Sequence, residues 1–409
     1  MRKPIQNIKV IAINKTVKIS WNISSYLFEN NDTDEFSNIK IFRREESFVF
    51  NEDYEEFFLN MTFSNKCELL FDGHLIPQNN RKFIYQDESA SIGKTYTYWI
   101  QTKNTGPIGP FPIKIRDPEV WWSYEKLLSH LTKLKENYPN QVELSNCGQT
   151  SRGLNIPCIR IGHGKCTMGM VGAIHAGESG PELIIPVLEK LLKLNPEVLK
   201  NTQIIAIPSL NIDSREAIAN GTPWYIRTNA NGVDLNRNFP AQWNTIEYGY
   251  GLDSSEFGSV TYRGTAPLSA NETKAVVSVF ENERPQVVFG YHALASISGL
   301  PALASKFGEK MEPYASRCQF IIENFSKAFY PEPEFTGKIL KFSGTSGSLT
   351  TWFFEKYKIP AFDFEMGVDK KALEICLYDK TDQKILTEYQ NRHYSGVLAL
   401  LQIFANESK

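Results

Sequence analysis

Residues Met168–Leu194 read MGMVGAIHAGESGPELIIPVLEKLLKL. An apolar run (MGMVGAI) gives way to a short polar turn and then to a stretch in which Leu183, Val187, Leu188, Leu191 and Leu192 recur at helical spacing. The second part predicts a helix with one apolar face, and the first a strand buried between helical layers. TQIIAI (202–207), QVVFG (286–290) and IPAFDF (359–364) repeat the apolar-run signal. Helical patterns lie between the runs, starting at WWSYEKLLSHLTKLKENYP, where Leu127, Leu128, Leu131 and Leu134 mark the inner face. Alternation of this kind from Glu119 onward predicts an α/β domain.

Upstream the pattern changes. Seven short alternating runs, NIKVIAI, VKISWNIS, NIKIFRRE, KCELLFDG, RKFIYQDE, KTYTYWIQTKN and FPIKIR, are separated by Asn, Asp, Gly and Pro clusters, the pattern of an all-β unit. Val17, Ile19, Trp21 and Ile23 share one strand face, as do Tyr96, Tyr98 and Ile100, so Trp21 is expected in the core. These features resemble a fibronectin type III module, an immunoglobulin-like β-sandwich. An aromatic and acidic insertion, Glu45 to Lys66, departs from it. Gly and Pro punctuation in NTGPIGPFP ends the module. The expected domains are 1–116, the sandwich, and 117–409, the α/β domain.

The 409 residues are 42% apolar and 22% charged, enough to bury cores and too much for global disorder. Lys and Arg number 44 against 46 Asp and Glu, so no basic field for nucleic acid is expected. No apolar run reaches membrane-spanning length, and MRKPIQNIKV has no apolar signal core. A location in the cytoplasm is therefore favoured, with secretion left open. The six cysteines, Cys67, Cys147, Cys158, Cys166, Cys318 and Cys376, lie far apart with no CxxC pair, which predicts neither a disulfide framework nor a zinc ribbon.

Chemistry concentrates at the ends of the apolar runs. His175 and Glu178 flank a tight turn directly after MGMVGAI, and His292 follows QVVFGY. Carboxyl ends of strands are where open α/β sheets bind ligands. Two imidazoles and a carboxylate form the ligand set of a catalytic zinc with a fourth position left for water. Asp234, in the polar segment NGVDLNRNFP, is a candidate acceptor for the second nitrogen of a ligating imidazole.

Arg227–Pro240 reads RTNANGVDLNRNFP. It resembles the DxNRN signature of the zinc carboxypeptidase family, in a variant similar to that of the murein peptide amidases. The resemblance runs over residues 120 to 405, with HxxE, DxNRN, a strand-end His and Glu365 in family order. It implies a mixed sheet flanked by helices and one zinc per chain on His175, Glu178 and His292. Glu365 would be general base and acid, and Asp234 would orient His175. Asn236 and Arg237 would hold a substrate carboxylate, Arg227 would support the oxyanion, and the specificity pocket would lie near Leu349. Counting back from Trp224 instead puts Tyr225 at the family's arginine position.

Gly177 stands where many members carry Arg, and Phe342 or Ser343 where a tyrosine is expected. Gly344–Ser348 (GTSGS) is expected to be loop without the strand–turn–helix setting of a nucleophile elbow. The implied activity is a metallocarboxypeptidase acting on a peptide substrate. Alternatives are a γ-D-glutamyl-diaminopimelate amidase acting on muropeptides and a non-catalytic binding protein on the same fold. Neither a nucleic acid nor a membrane partner is expected, and the oligomeric state is not legible.

Overall fold

The structure is a computed structural model that describes residues 5–23, 37–48, 54–78, 81–245, 254–281, 283–293, 302–330, 339–365 and 382–407. The chain divides into two compact units, Met1–Trp121 with Ala217–Tyr225, and Trp122–Glu216 with Ile226–Lys409.

In the first unit all seven expected runs form strands: β1 (Ile5–Ile13), β2 (Thr16–Ile23), β3 (Asn38–Glu46), β4 (Glu68–His74), β5 (Lys82–Asp87), β6 (Thr95–Thr102) and β7 (Ile108–Lys114). They make a three-stranded sheet, β1-β2-β5, and a four-stranded sheet, β4-β3-β6-β7. Period-two alternation sends Val17, Ile19, Trp21 and Ile23 into one core with Ile39, Ile41, Tyr98 and Ile100. Trp21 is buried there and stacks on Phe83 with ring centroids 5.7 Å apart. Within the insertion, α1 (Tyr54–Leu59) forms a short helix with no buried residue. The segment Ala217–Tyr225, although it comes from much later in the chain, is bonded into this unit. Lys114 donates its N–H to Gly221 O at 2.7 Å, and Arg116 Nη1 donates to Ile218 O at 2.9 Å.

The second unit holds β8 (Val142–Gln149), β9 (Asn155–Gly162), β10 (Cys166–Val171), β11 (Thr202–Ile207), β12 (Val287–His292), β13 (Ala302–Ser305), β14 (Leu340–Gly344) and β15 (Ala361–Glu365). Their order in one sheet is β14-β13-β15-β12-β10-β11-β9-β8. β11, β10, β12 and β15 run parallel in succession, while β9 pairs with β8 and β11 antiparallel. The predicted mixed sheet is thus present, and every residue of β10 and β12 is buried.

Helices α2 (Tyr124–Asn137), α3 (Pro181–Leu194), α4 (Ile212–Ala219), α5 (Asn271–Phe280), α6 (Tyr314–Phe329), α7 (Leu349–Tyr357) and α8 (Gln383–Glu407) accompany these strands. All five apolar positions expected on α3 are buried. On α2, Leu127, Leu131 and Leu134 are buried, but Leu128 is 38% exposed. Its place beside Leu127 turns it about 100° off the buried stripe. None of the described helices is long and apolar enough to cross a membrane.

Gly344–Ser348 corrects an expectation, because it does lie between a strand, β14, and a helix, α7. Its chemistry is still that of a cap. Ser348 Oγ accepts from Thr351 N at 3.2 Å and its hydroxyl donates to Thr345 O at 2.8 Å, so the oxygen is used to start α7. Among the described cysteines, Cys158, Cys166 and Cys318 are buried and all five are free. Cys376 lies outside the described residues.

Candidate metal centre and active site

β10 ends at Val171, and the chain then turns through HAGE into α3. Arg215, itself buried, braces this turn by donating Nη1 to Ala176 O at 3.0 Å and to Glu178 O at 2.6 Å. Its Nη2 pairs with buried Glu182 Oε2 at 2.9 Å. Gly177 N donates to Ile226 O at 3.0 Å, which ties the turn to the start of the RTNANG segment. His292 closes β12, with Ser179 Oγ donating to its carbonyl at 2.7 Å. Two strand ends and one braced turn therefore aim three side chains at a common point.

That point is defined by His175 Nδ1, His292 Nδ1 and Glu178 Oε2. The separations are 2.9 Å from His175 to Glu178, 2.7 Å from His292 to Glu178, and 3.2 Å between the imidazoles. All three residues are buried, and together they make a group able to hold a metal ion. Tetrahedral ligands at about 2.1 Å from zinc lie about 3.4 Å from one another, so these three atoms would part by a few tenths of an ångström to hold the ion. The donor chemistry fits as well. His175 Nε2 faces Asp234 Oδ1 at 3.1 Å, and since a carboxylate only accepts, a ring neutral for metal binding would keep its proton on Nε2 and turn the lone pair of Nδ1 to the ion. Nδ1 itself meets a buried carboxylate oxygen, so a proton or a metal cation is needed between the two.

Charge follows the same logic. Burial alone would raise the Glu178 carboxyl, but His175 and His292 outweigh it and hold it well below the ordinary range. Burial would likewise raise Asp234, and Arg227 and His175 hold it well below. Burial would lower His292, whereas Asp363 and Glu178 carry it well above the ordinary histidine value.

Arg227 donates Nε to Asp234 Oδ2 at 2.7 Å, and its Nη1 lies 3.4 Å from His175 Nδ1. Its guanidinium is thus at the edge of the triangle formed by His175, Glu178 and His292. Glu365 ends β15 as the register partner of His292. It is half-buried with Oε2 fully enclosed and no hydrogen-bond partner. Burial pushes its pKa well above the ordinary carboxyl value, helped by Glu178 and Asp363 and opposed by His292 and Arg227.

Asn236 is more committed than its sequence reading suggested. Its Oδ1 accepts from Leu349 N at 2.9 Å and its Nδ2 donates to Asp363 Oδ2 at 3.1 Å, which leaves the second amide hydrogen. Arg237 is buried beside it and donates Nη1 to Asn236 O at 2.9 Å. Leu349 was expected at the specificity pocket, but its side chain is fully enclosed in the apolar core of the sheet. Its visible link to the site is its main-chain N–H. Phe342 and Ser343 both lie on β14 and are half-buried.

Sequence reading missed two parts. Asp363 carries Oδ1 3.3 Å from His292 Nε2, and an acid inside an otherwise apolar strand was the available signal. Glu272, buried on α5, accepts from Ser151 N at 3.0 Å and from Asn229 Nδ2 at 3.0 Å. Asn229 Oδ1 in turn accepts from Val233 N at 2.9 Å and shapes the turn before Asp234. An isolated Glu on a helix gave no hint of this.

The family model for zinc carboxypeptidases matches residues 127–391. A γ-D-glutamyl-L-diamino acid endopeptidase 1 of Lysinibacillus sphaericus is 24% identical over 298 residues, covering 65% of this chain and 70% of the relative. The carboxypeptidase N catalytic chain of Rattus norvegicus is 30% identical over 205 residues, covering 44% of this chain and 43% of the relative. Among solved structures, bovine thrombin-activatable fibrinolysis inhibitor in complex with tick carboxypeptidase inhibitor aligns with a TM-score of 0.58 at 17% identity. It covers 71% of this chain and 99% of its own. The last likeness shows the fold.

Proposed function

The chain belongs to the zinc carboxypeptidase family, and from that premise we propose that it is a metallocarboxypeptidase that hydrolyses the amide bond preceding a residue with a free carboxylate. The observation that carries this reading is the buried convergence of His175 Nδ1, Glu178 Oε2 and His292 Nδ1, with Glu365 on the neighbouring strand end. His175, Glu178 and His292 would hold one zinc. Bound there, zinc would supply Lewis acidity toward a water and a carbonyl oxygen, and positive charge that draws the Glu365 carboxyl back toward its ionised form.

Glu365 takes the proton of the attacking water and later delivers it to the departing amine. Arg227, held by Asp234, offers its guanidinium to the oxyanion that develops at the scissile carbon. Arg237 and the remaining amide hydrogen of Asn236 receive the substrate carboxylate, a task suited to a planar, permanently charged guanidinium. Leu349 acts from behind, through the N–H that fixes Asn236. Phe342 or Ser343 stands in for the expected tyrosine, so the scissile region receives no phenolic hydrogen bond from that position.

A second reading keeps the same machinery but changes the bond to γ-D-glutamyl-diaminopimelate in a muropeptide. The similarity to the γ-D-glutamyl-L-diamino acid endopeptidase, over 70% of that relative, favours it. We assign residues 1–116 to a fibronectin type III-like module and 117–409 to the catalytic domain. The sheet orders β1-β2-β5 and β4-β3-β6-β7 support the sandwich.

The test is turnover by chelated and zinc-restored protein on C-terminally varied peptides and on muropeptides. Zinc-dependent release of a C-terminal residue from ordinary peptides is expected. Cleavage of muropeptides alone would transfer the assignment to the amidase, and no zinc-dependent cleavage of either would overturn both.

A further inference from the structure

β15 reads AFDFE, and its burial is continuous from Ala361 to Phe364. A carboxylate in such a strand is costly unless its oxygens are satisfied. Asp363 lies two residues before Glu365, and alternate residues of a strand share a face, so it looks toward the same side as the site. Its register partner on the neighbouring strand β12 is Gly290, two residues before His292.

What it reaches is fixed on both sides. Leu349 N–H donates to Asn236 Oδ1, which turns the amide so that Nδ2 donates to Asp363 Oδ2. The other oxygen, Oδ1, lies 3.3 Å from His292 Nε2. Both of these last atoms are buried, and neither makes an aligned hydrogen bond. An Nε2 proton directed at Oδ1 would satisfy both at once. His292 would then carry its proton on Nε2 and present the lone pair of Nδ1 to Glu178, matching His175, whose Nε2 faces Asp234.

We propose that Asp363 is a second positioning carboxylate, which fixes the ring and tautomer of His292 for metal binding and joins it through Asn236 to the segment carrying Arg237. The proposal rests on the metal-centre reading above and adds a residue to it. Outer carboxylates of this kind orient ligating imidazoles, and their loss weakens metal binding by about 10- to 100-fold. Asp363 thereby makes the segment proposed to receive the substrate carboxylate and the metal-ligand ring one hydrogen-bonded unit.

The test measures zinc affinity of the full chain by competition with a chromophoric chelator, for the unmodified protein, Asp363→Asn and Asp234→Asn. Asp363→Asn is expected to lose about 10- to 100-fold in affinity, comparable to Asp234→Asn, and to shift the visible absorption of the cobalt(II)-substituted site. Unchanged zinc affinity together with an unchanged cobalt spectrum would overturn the proposal. Should the variant fail to fold, nitrogen-15 histidine spectra of the zinc-loaded unmodified chain decide instead. Slowly exchanging Nε2 protons on both His175 and His292 are expected, and a His292 protonated on Nδ1 overturns the proposal. An unmodified chain that binds no zinc would overturn the metal-centre reading itself, and this inference with it.

Discussion

His292 and Glu365 are register partners at the ends of two adjacent parallel strands. The sheet itself therefore sets the spacing between the imidazole proposed to face the metal and the acid beside it, and neither depends on a loop for its position. Glu365→Gln keeps the shape and removes the proton acceptor. Turnover is expected to fall by about 10²- to 10⁴-fold, the usual worth of a positioned general base, with zinc content unchanged. Steady-state rates beside elemental analysis check this, and near-normal turnover would move the base role to another residue.

How much of this was legible beforehand depends on the range of the interaction. The strands and helices were readable because burial imposes a period, as in Val17, Ile19 and Trp21 on β2 or Leu183, Val187 and Leu191 on α3. Leu128 was misjudged because helical spacing alone does not fix the edge of the buried stripe. The convergence of His175, Glu178 and His292 was readable because HAGE and the strand-end His292 follow apolar runs directly. Asp363 and Glu272 escaped notice because their partners, His292, Asn236, Ser151 and Asn229, are distant in sequence. Leu349 was placed at a pocket by the family resemblance, whereas tertiary packing puts its side chain in the core.

Removing the metal should act on stability as well as on turnover. The proposed ligands come from the HAGE turn and the end of β12, so an ion held by them would bind only the folded unit. A ligand present at 100 times its dissociation constant stabilises the folded state by about 2.7 kcal/mol. Chelation is expected to abolish turnover and lower the thermal midpoint, and added zinc to restore both. Calorimetric scans that coincide with and without chelator would contradict it.

The first unit should respond to acid through Asp87. Its Oδ2 accepts from Arg43 Nη1 at 2.8 Å and from the Tyr98 hydroxyl at 2.7 Å, and its Oδ1 accepts from Ser89 N at 2.8 Å. Burial would raise this carboxyl, but the bonds from Ser89 and Tyr98 and the charge of Arg43 leave it below the ordinary value. A depressed folded pKa contributes stability that is present above the unfolded value of about 3.9 and lost as pH falls through the folded pKa. Asp87→Asn should cost about 1.5–3 kcal/mol at neutral pH, the range for a hydrogen bond to a charged group, and flatten the acid limb. Unfolding midpoints between pH 2 and 7 with the same slope in both proteins would exclude Asp87 as the source.

Recognition of the substrate carboxylate is the prediction that separates a carboxypeptidase from other hydrolases on this fold. Arg237 is buried next to Asn236, whose amide is held by Leu349 N–H and Asp363. A guanidinium mounted beside that held amide presents a planar, permanently charged fork that suits both carboxylate oxygens. Amidating the substrate terminus removes the charge and one acceptor, which should cost about 2–4 kcal/mol in kcat/KM, as for truncating one partner of a buried charge pair. Arg237→Ala should lose a similar amount on the acid and little on the amide, whose partner is already missing. The four rates form a double-mutant cycle, and a coupling near zero would mean that Arg237 does not meet the substrate carboxylate. Equal turnover of acid and amide by the unmodified protein would go further. It would show recognition through groups other than a terminal carboxylate, as an amidase or endopeptidase requires.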